Sequence, residues 1–402
     1  MKIEHLSLTN FRNYARLEFS PPADRPVVLV GDNAQGKTSA LEAIFYLATS
    51  TSPYTTSDRQ LIHWRTENDP IPFARLSAEI GGANGAYHKL DITLMLDMTA
   101  GAARFKKAIK LNNVDKRVMD VVGMLNVVLF LPRDLSLVEG SPSDRRRFMD
   151  GTLRQVDIDY LLALNEYDKI LPQRNALLKR IAEKRASPVE LEFWDEQLAA
   201  SGAIIIAGRQ RFLRELEVKA RATHLALTGG RETLSLKYLP SILTAAEGGG
   251  RQLSFDVIGL DLDRQLSAEA IKPQFLERLL AQRREAIGRG ITIAGPHRDE
   301  LRIFINERDC GLFGSRGQAR TAVMALKFAE LEWMRDQLGE YPLFLLDEVV
   351  AELDSRRRSY LLDRLDGRAQ TLVTTTEIEI FSPAFRQRAT VYQVEDGQIS
   401  QA

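Results

Sequence analysis

The chain has 402 residues, of which 44% are hydrophobic and 27% charged, and this balance excludes a wholly disordered or fibrous protein. At roughly 100–200 residues per domain, its length predicts two or three domains. Its 54 Lys and Arg residues equal its 54 Asp and Glu residues, so any binding of nucleic acid needs a local basic surface rather than net charge.

The expected compartment follows from the cysteine content and the apolar runs. A single cysteine, Cys310, excludes a disulfide framework and a cysteine-built metal site, and it suits a reducing compartment. No apolar run approaches the ~18–20 residues that a membrane span needs. The first eight residues alternate charged and apolar types and lack a secretory apolar core. We therefore expect a cytoplasmic protein without membrane partners.

The first 131 residues predict strands and one helix. Alternating or wholly apolar runs indicate strands, and the apolar spacing of residues 37–48 indicates a helix. Turns are expected at the G-G-A-N-G segment, residues 81–85, and at Asn112-Asn113. The expected strands cover residues 3–8, 16–20, 26–30, 74–80, 87–96, 108–114 and 126–131.

From residue 144 to about 221 the pattern is helical, with a break near Ser187-Pro188 that predicts two antiparallel helices. A flexible glycine-rich loop is expected at residues 247–250, and another helix at 271–287. Short buried strands are expected at 343–346 and 371–374, and a hairpin at 389–400. The simplest architecture is an α/β domain, residues 1–140 and 290–402, split by a mostly helical insertion at 141–289.

The strongest chemical signal is G-D-N-A-Q-G-K-T, which follows an apolar strand and precedes a helix. Backbone N–H groups of such a loop bind phosphate, and the helix dipole adds positive charge. Lys37 is expected to reach the β- and γ-phosphates of a nucleotide, and the Thr38 hydroxyl to bind Mg²⁺. The nucleotide-binding candidates are Gly31, Asp32, Asn33, Ala34, Gln35, Gly36, Lys37, Thr38 and Ser39.

Two carboxylates, Asp347 and Glu348, follow the apolar strand at 343–346. The carboxyl ends of strands are where α/β sheets bind ligands. We expect Asp347 to hold Mg²⁺ through water and Glu348 to polarise an attacking water as a general base. The alternative is that both acids cap the next helix.

A second anion-binding surface is expected at Ser315, Gly317 and Gln318, which precede a helical pattern. The alternative is a glycine-containing loop in which Ser315 caps that helix. Asp354 follows the acidic pair and could either contact a second subunit or cap the helix that starts at Ser355.

Other polar residues leave two interpretations open. Arg145, Arg146 and Arg147 form a basic cluster that would contact DNA phosphates or, alternatively, form ion pairs on a solvated helix face. Arg12 either contacts the nucleotide or belongs to a packed turn. His297 either positions a bound group or is structural.

In this order, the phosphate loop, the insertion, the S-R-G-Q segment, the Asp-Glu strand and the A-E-L-D segment resemble the SMC-like branch of ATP-binding-cassette ATPases. Three further segments resemble the RecF family within that branch. They are L-T-N-F-R-N-Y (residues 8–14), G-S-P-S-D-R-R-R-F-M-D (140–150) and G-P-H-R-D-E-L (295–301).

The resemblance implies an SMC-like P-loop NTPase head with an inserted, mostly helical lobe. It implies an ATP-dependent homodimer in which ATP lies between the phosphate loop of one copy and Ser315 and Gly317 of the other, with Asp354 at the facing subunit. It also implies binding of single-stranded, gapped and junction DNA, cooperation with RecR and RecO, recombinase loading and a role in SOS induction.

The chain departs from the wider cassette pattern in two places. The strand at Leu372-Val373 runs into threonines rather than a histidine that would sense the γ-phosphate, which suggests slow hydrolysis. Arg133 stands where the family suggests an acidic residue. The alternative functions are a nucleotide-dependent scaffold that hardly hydrolyses ATP and a cassette subunit of a membrane transporter.

Overall fold

The computed structural model describes residues 1–66, 69–82, 85–97, 104–243, 266–365 and 367–402. The loop expected at 247–250 lies outside these residues, as does the middle of the turn expected at 81–85. Within the part described, no helix is long and apolar enough to cross a membrane.

The strands, numbered in chain order, are β1 (Lys2–Phe11), β2 (Tyr14–Phe19), β3 (Val27–Val30), β4 (Phe73–Gly81), β5 (Tyr87–Asp97), β6 (Arg104–Leu111), β7 (Val114–Lys116), β8 (Val127–Phe130), β9 (Leu234–Leu239), β10 (Glu300–Ile305), β11 (Arg308–Asp309), β12 (Leu343–Asp347), β13 (Thr371–Thr375), β14 (Thr390–Glu395) and β15 (Gln398–Gln401).

The helices are α1 (Lys37–Thr49), α2 (Ser136–Glu139), α3 (Pro142–Val156), α4 (Ile158–Ala182), α5 (Leu191–Thr228), α6 (Ala268–Ala281), α7 (Arg283–Arg289), α8 (Cys310–Phe313), α9 (Arg316–Leu338), α10 (Ser355–Arg364) and α11 (Pro383–Arg388). Each strand expected from the sequence is present, although the one expected at 108–114 is replaced by β6 and β7, which flank the turn at Asn112-Asn113.

The chain divides into two compact units, residues 1–134 with 330–402 and residues 135–329. The sequence placed these boundaries near residues 140 and 289. The segment 290–329 lies in the second unit because β10 pairs along its whole length with β9, a strand that the sequence analysis missed.

The first unit contains two six-stranded sheets. One is antiparallel, in the order β2-β1-β4-β5-β6-β7, and the other has the order β15-β14-β3-β13-β12-β8. In the second sheet, every neighbouring pair from β14 to β8 is parallel, whereas β15 is antiparallel. One hydrophobic core joins residues of both sheets and α1, including Leu6, Leu29, Leu41 and Leu345.

This topology positions the candidate site. β13 lies between β3 and β12, and all three run in the same direction. Their carboxyl ends therefore meet at one edge of the sheet. The phosphate loop, Asp347 and the threonines that end β13 are brought to that edge although they are distant in sequence.

The second unit contains α3 to α7 and a three-stranded sheet in the order β11-β10-β9. The predicted antiparallel helix pair is confirmed as α4 and α5, which a buried ion pair between Arg174 and Asp195 links at 2.8 Å. The helix predicted at 271–287 is instead two helices, α6 and α7, separated at Gln282.

Candidate nucleotide-binding site

Two positions of the loop between β3 and α1 leave no room for a side chain. Gly36 has a φ of +123°, and a Cβ atom there would lie 2.7 Å from the Asn13 side chain. A Cβ atom at Gly31 would lie 2.2 Å from the carbonyl oxygen of Val394. The buried Tyr14 hydroxyl donates to the carbonyl of Gly36 at 3.0 Å and so links the loop to the start of β2.

The remaining loop residues differ in exposure and in their contacts. Asp32, Asn33 and Ala34 are exposed, and Ser39 is partly buried on the first turn of α1. The Gln35 side chain instead accepts a hydrogen bond from the backbone N–H of Asp396 at 2.7 Å, which ties the loop to the turn between β14 and β15.

Lys37 is held at the mouth of this loop. Its side chain is 3% exposed, and its ammonium group donates to the carbonyls of Gly31 at 2.7 Å and Asp32 at 2.9 Å. The Glu348 carboxylate lies 3.3 Å from the same ammonium group. Phosphate oxygens can replace these partners because they accept the same charged hydrogen bonds.

Asp347 ends β12 and accepts hydrogen bonds from three hydroxyl groups. Thr38 at 2.9 Å and Thr374 at 2.7 Å both donate to Oδ1, and Tyr54 donates to Oδ2 at 2.6 Å. Tyr54 is 36% exposed, and its partial burial, followed by the charge of Asp347, raises the pKa of the phenol above its usual range. Tyr54 therefore stays a protonated donor to this carboxylate.

Glu348 begins the loop after β12 with a φ of +56°, which is rare for a residue with a Cβ atom. Its backbone N–H donates to the Thr374 hydroxyl at 2.9 Å, and its side chain is 39% exposed. Thr374 thus links the two acids, in the segment where the sequence has no histidine. The run of threonines at the end of β13 was the available signal for this role.

The residues at this edge suit a magnesium ion that arrives with phosphates. The Thr38 hydroxyl and Asp347 carboxylate supply oxygen atoms 2.9 Å apart, and a hard cation prefers oxygen ligands. Across the described ranges, no group of three or more His, Cys, Asp or Glu residues could hold a metal by itself.

The predicted second anion-binding segment begins α9 in the second unit. The Ser315 hydroxyl accepts from the N–H of Gln318 at 3.2 Å, and the Gln318 side chain accepts from the N–H of Ser315 at 2.9 Å. This reciprocal pair is a capping box, so the capping alternative is observed. Ser315 is exposed and Gly317 is partly buried.

Asp354 also has the capping role that the sequence allowed. Its carboxylate accepts from the backbone N–H of Arg357 at 2.9 Å and forms an ion pair with the Arg357 side chain, at the start of α10. A contact with a second subunit stays a prediction.

The three arginines at the start of α3 differ from one another. Arg145 forms a two-point ion pair with Glu300, at 2.6 and 2.7 Å, and is 11% exposed. Arg146 donates to the carbonyl of Asp299 at 2.8 Å. Arg147 is 77% exposed, with Asp144 at 3.4 Å. Arg145 and Arg147 thus form ion pairs within the chain, and Arg146 binds a carbonyl. A contact of the cluster with DNA phosphates stays a prediction, for which Arg147 is the most exposed side chain.

Comparisons with known proteins agree with this geometry. The family described as RecF/RecN/SMC N terminal domain matches residues 2–400. The DNA replication and repair protein RecF of Chloroflexus aggregans is 40% identical over 99% of both chains. RecF of Halalkalibacterium halodurans is 37% identical, again over 99% of both chains.

Solved structures give the same result. The recombination mediator protein RecF bound to ATP, from the RecFOR pathway, is 27% identical with a TM-score of 0.82, and it covers 100% of this chain and 97% of its own. An Smc head bound to the C-winged helix domain of ScpA is 14% identical, with a TM-score of 0.53 over 100% of this chain and 97% of its own. The second likeness shows the fold alone, and the predicted SMC-like α/β ATPase head is confirmed.

Proposed function

The chain belongs to the RecF family, and we propose that it is an ATP-dependent DNA-binding ATPase of DNA replication and recombinational repair. The observation that carries this proposal is the meeting of two contact pairs at one sheet edge, Thr38 with Asp347 at 2.9 Å and Lys37 with Glu348 at 3.3 Å. The RecF structures solved with ATP support the nucleotide class.

Each residue has a role in this proposal. Lys37 neutralises the β- and γ-phosphates, while Thr38 and Asp347 hold Mg²⁺, which supplies charge neutralisation to the phosphates. Glu348 accepts a proton from the attacking water. Glu348 is paired with Lys37 in the structure, so it becomes available once Lys37 turns to a phosphate of the bound nucleotide.

ATP would also join two copies of the chain. In this proposal, Ser315, Gly317 and Gln318 of a second copy bind the γ-phosphate at the N-terminal end of α9, and Asp354 contacts that copy. A helix N-terminus suits this role because its N–H groups and dipole favour an anion. Loss of the γ-phosphate then loosens the dimer.

The dimer would present the DNA surface, with single-stranded, gapped or junction DNA as the ligand. The RecFOR pathway named for the solved relatives supports RecR- and RecO-type partners. Recombinase loading and SOS induction belong to the proposal through the family resemblance alone. The cytoplasmic location belongs to the same proposal, in keeping with the single, buried Cys310.

Sedimentation velocity with and without Mg²⁺ and ATP, repeated with gapped DNA, tests the proposal. We expect the wild-type chain to dimerise with ATP and to bind DNA more tightly as a dimer. Lys37→Ala should abolish both responses, and Ser315→Arg should block dimerisation while ATP still binds the monomer. A wild-type chain whose sedimentation ATP does not change would contradict the proposal.

A nucleotide-dependent scaffold with little hydrolysis is the second candidate function. The threonines that end β13 favour it, because no histidine stands there to sense the γ-phosphate. ATPase activity measured at saturating ATP with and without DNA separates the two, since the turnover of a scaffold would stay close to zero and would not rise with DNA.

A further inference from the structure

Tyr54 lies beside the site but outside every motif that the sequence singles out. Its hydroxyl donates to Oδ2 of Asp347 at 2.6 Å, on the opposite carboxylate oxygen from the two threonines. Oδ1 already accepts two hydrogen bonds, which occupy both of its lone pairs. Tyr54 is therefore the group that orients Oδ2, the oxygen with a lone pair still available.

Arg133 contacts both the ring of Tyr54 and the backbone next to it. Its guanidinium carbon lies 4.9 Å from the centre of the Tyr54 ring, in the geometry of a cation–π contact. The same guanidinium donates to the carbonyl of Pro53, the preceding residue. Arg133 thus fixes both the ring and the backbone beside it.

The segment below Tyr54 is also anchored. The backbone N–H of Tyr54 donates to the Ser52 hydroxyl at 2.9 Å, and that hydroxyl donates to the Glu42 carboxylate. Glu42 is 3% exposed and forms a two-point ion pair with Arg12 at 2.7 and 2.8 Å. Arg12, a candidate nucleotide contact from the sequence, is thus engaged in this chain of contacts.

We propose that Tyr54, held in place by Arg133, is a positioning residue for the Asp347 carboxylate. Tyr54 and Arg133 together then set the affinity of the nucleotide site for Mg²⁺. The inference rests on the proposed function and deepens it. When Thr38 turns from Asp347 to the metal, Oδ1 loses one of its two donors. Tyr54 and Thr374 then remain as the two groups that fix the carboxylate plane.

The expected sign follows from this geometry. A carboxylate that binds a metal through water must aim its lone pairs correctly, and partners that orient it contribute to affinity. Removing the Tyr54 hydroxyl should therefore weaken Mg²⁺ binding while leaving the contacts of Lys37 and the loop N–H groups with phosphate intact.

Calorimetry with the non-hydrolysable analogue AMP-PNP tests this, first in EDTA and then across a range of MgCl₂ concentrations. Tyr54→Phe should raise the apparent Mg²⁺ dissociation constant about 10-fold, the lower end of the usual effect for groups that orient a metal ligand. Its affinity for AMP-PNP in EDTA should equal that of the wild type. Tyr87→Phe on β5, at a tyrosine that is 52% exposed, is the matched control and should change neither value.

Arg133→Ala should shift Mg²⁺ affinity in the same direction by a smaller factor, about 3-fold, because an exposed cation–π contact is weak. Adding Arg133→Ala to Tyr54→Phe should cause no further loss, since Arg133 acts through the hydroxyl that is already absent.

Unchanged or tighter Mg²⁺ binding in Tyr54→Phe would overturn the inference, as would an equal loss of affinity in EDTA, which indicates a merely structural role. A wild-type chain that binds no AMP-PNP would overturn the proposed function and this inference together.

Discussion

The two units use buried charge differently. At the sheet edge of the first unit, Lys37 is 3% exposed, yet its partners are two loop carbonyls and the partly exposed Glu348. In the second unit, Arg209 is 2% exposed and its partner Asp299 is fully buried. A ligand can therefore replace the partners of Lys37 at the sheet edge. Arg209, in contrast, is enclosed by partners of its own unit.

The Arg209 contacts explain this difference. Its guanidinium donates to both oxygens of Asp150 at 2.8 to 3.0 Å, to Asp299 at 3.3 Å, and to the carbonyl of Pro296 at 2.8 Å. The Tyr238 hydroxyl donates to Asp299 as well. Buried cations are tolerated when their donors are met in this way, and removing one partner from such a cluster is costly.

The largest expected effect tests this role of Arg209. Arg209→Met should lower the free energy of unfolding of the second unit by about 3–5 kcal/mol, because it leaves the buried carboxylates without their cation. Arg211→Met, at a neighbouring arginine that is 47% exposed and paired with Asp157, should cost less than about 1 kcal/mol. Urea unfolding followed by fluorescence measures both, and equal losses would remove the contrast between buried and exposed pairs.

Glu348→Gln tests the charges at the sheet edge of the first unit. Because a ligand can replace the partners of these charges, we expect Glu348 to affect ATP hydrolysis and not the free energy of unfolding. We expect the ATPase rate to fall about 10²–10³-fold, as for loss of a general base. The ATP-dependent dimer should persist, and the urea midpoint should stay unchanged. A variant that hydrolyses ATP at the wild-type rate would exclude Glu348 as the base.

His297 gives a prediction of intermediate size. Tyr167 donates to its Nδ1 at 2.7 Å, and its Nε2 donates to the carbonyl of Thr292 at 3.1 Å, so the neutral ring is satisfied. Burial, and to a lesser degree nearby arginines, lower its pKa to about 4. The structural alternative from the sequence analysis therefore describes this residue.

The sign of the pH dependence follows from this shift. The unfolded chain binds a proton to His297 near pH 6.5, but the folded chain does so only near pH 4, so stability is full above about pH 6.5 and falls below it. Between pH 7 and pH 5 the loss should be roughly 2 kcal/mol. Urea unfolding of wild type and His297→Gln at both pH values isolates this contribution. An identical pH dependence in the two proteins would refute it.

Local sequence patterns predicted the parts of this fold that depend on neighbours in the chain. The apolar β3, the loop from Gly31 to Gly36 and the helix that follows are contiguous, so periodicity and glycine placement suffice to predict them. The acidic end of β12 was visible for the same reason.

Contacts distant in sequence were not predictable in this way. Tyr54 reaches Asp347 across 293 positions, and the sequence around Tyr54 contains no motif that marks it. β9 pairs with β10, which follows it in the chain only after a segment that includes α6 and α7. The local sequence pattern of β9 was therefore too weak by itself to predict this strand. Charge clustering also failed to separate Arg145 from Arg147, because their difference depends on Glu300 of β10.

The smallest expected effect tests that last difference. Arg147 is exposed and able to meet a phosphate, so Arg147→Ala should reduce the slope of log affinity against log salt for gapped DNA by about one. Arg145→Ala is the matched variant, two residues and so about half a turn earlier on α3. It should leave that slope unchanged and instead lower stability, because it leaves Glu300 without its partner. Fluorescence anisotropy at several salt concentrations measures the slope. If both variants left it unaltered, the DNA surface would lie away from the start of α3, and the basic cluster would be structural in all three arginines.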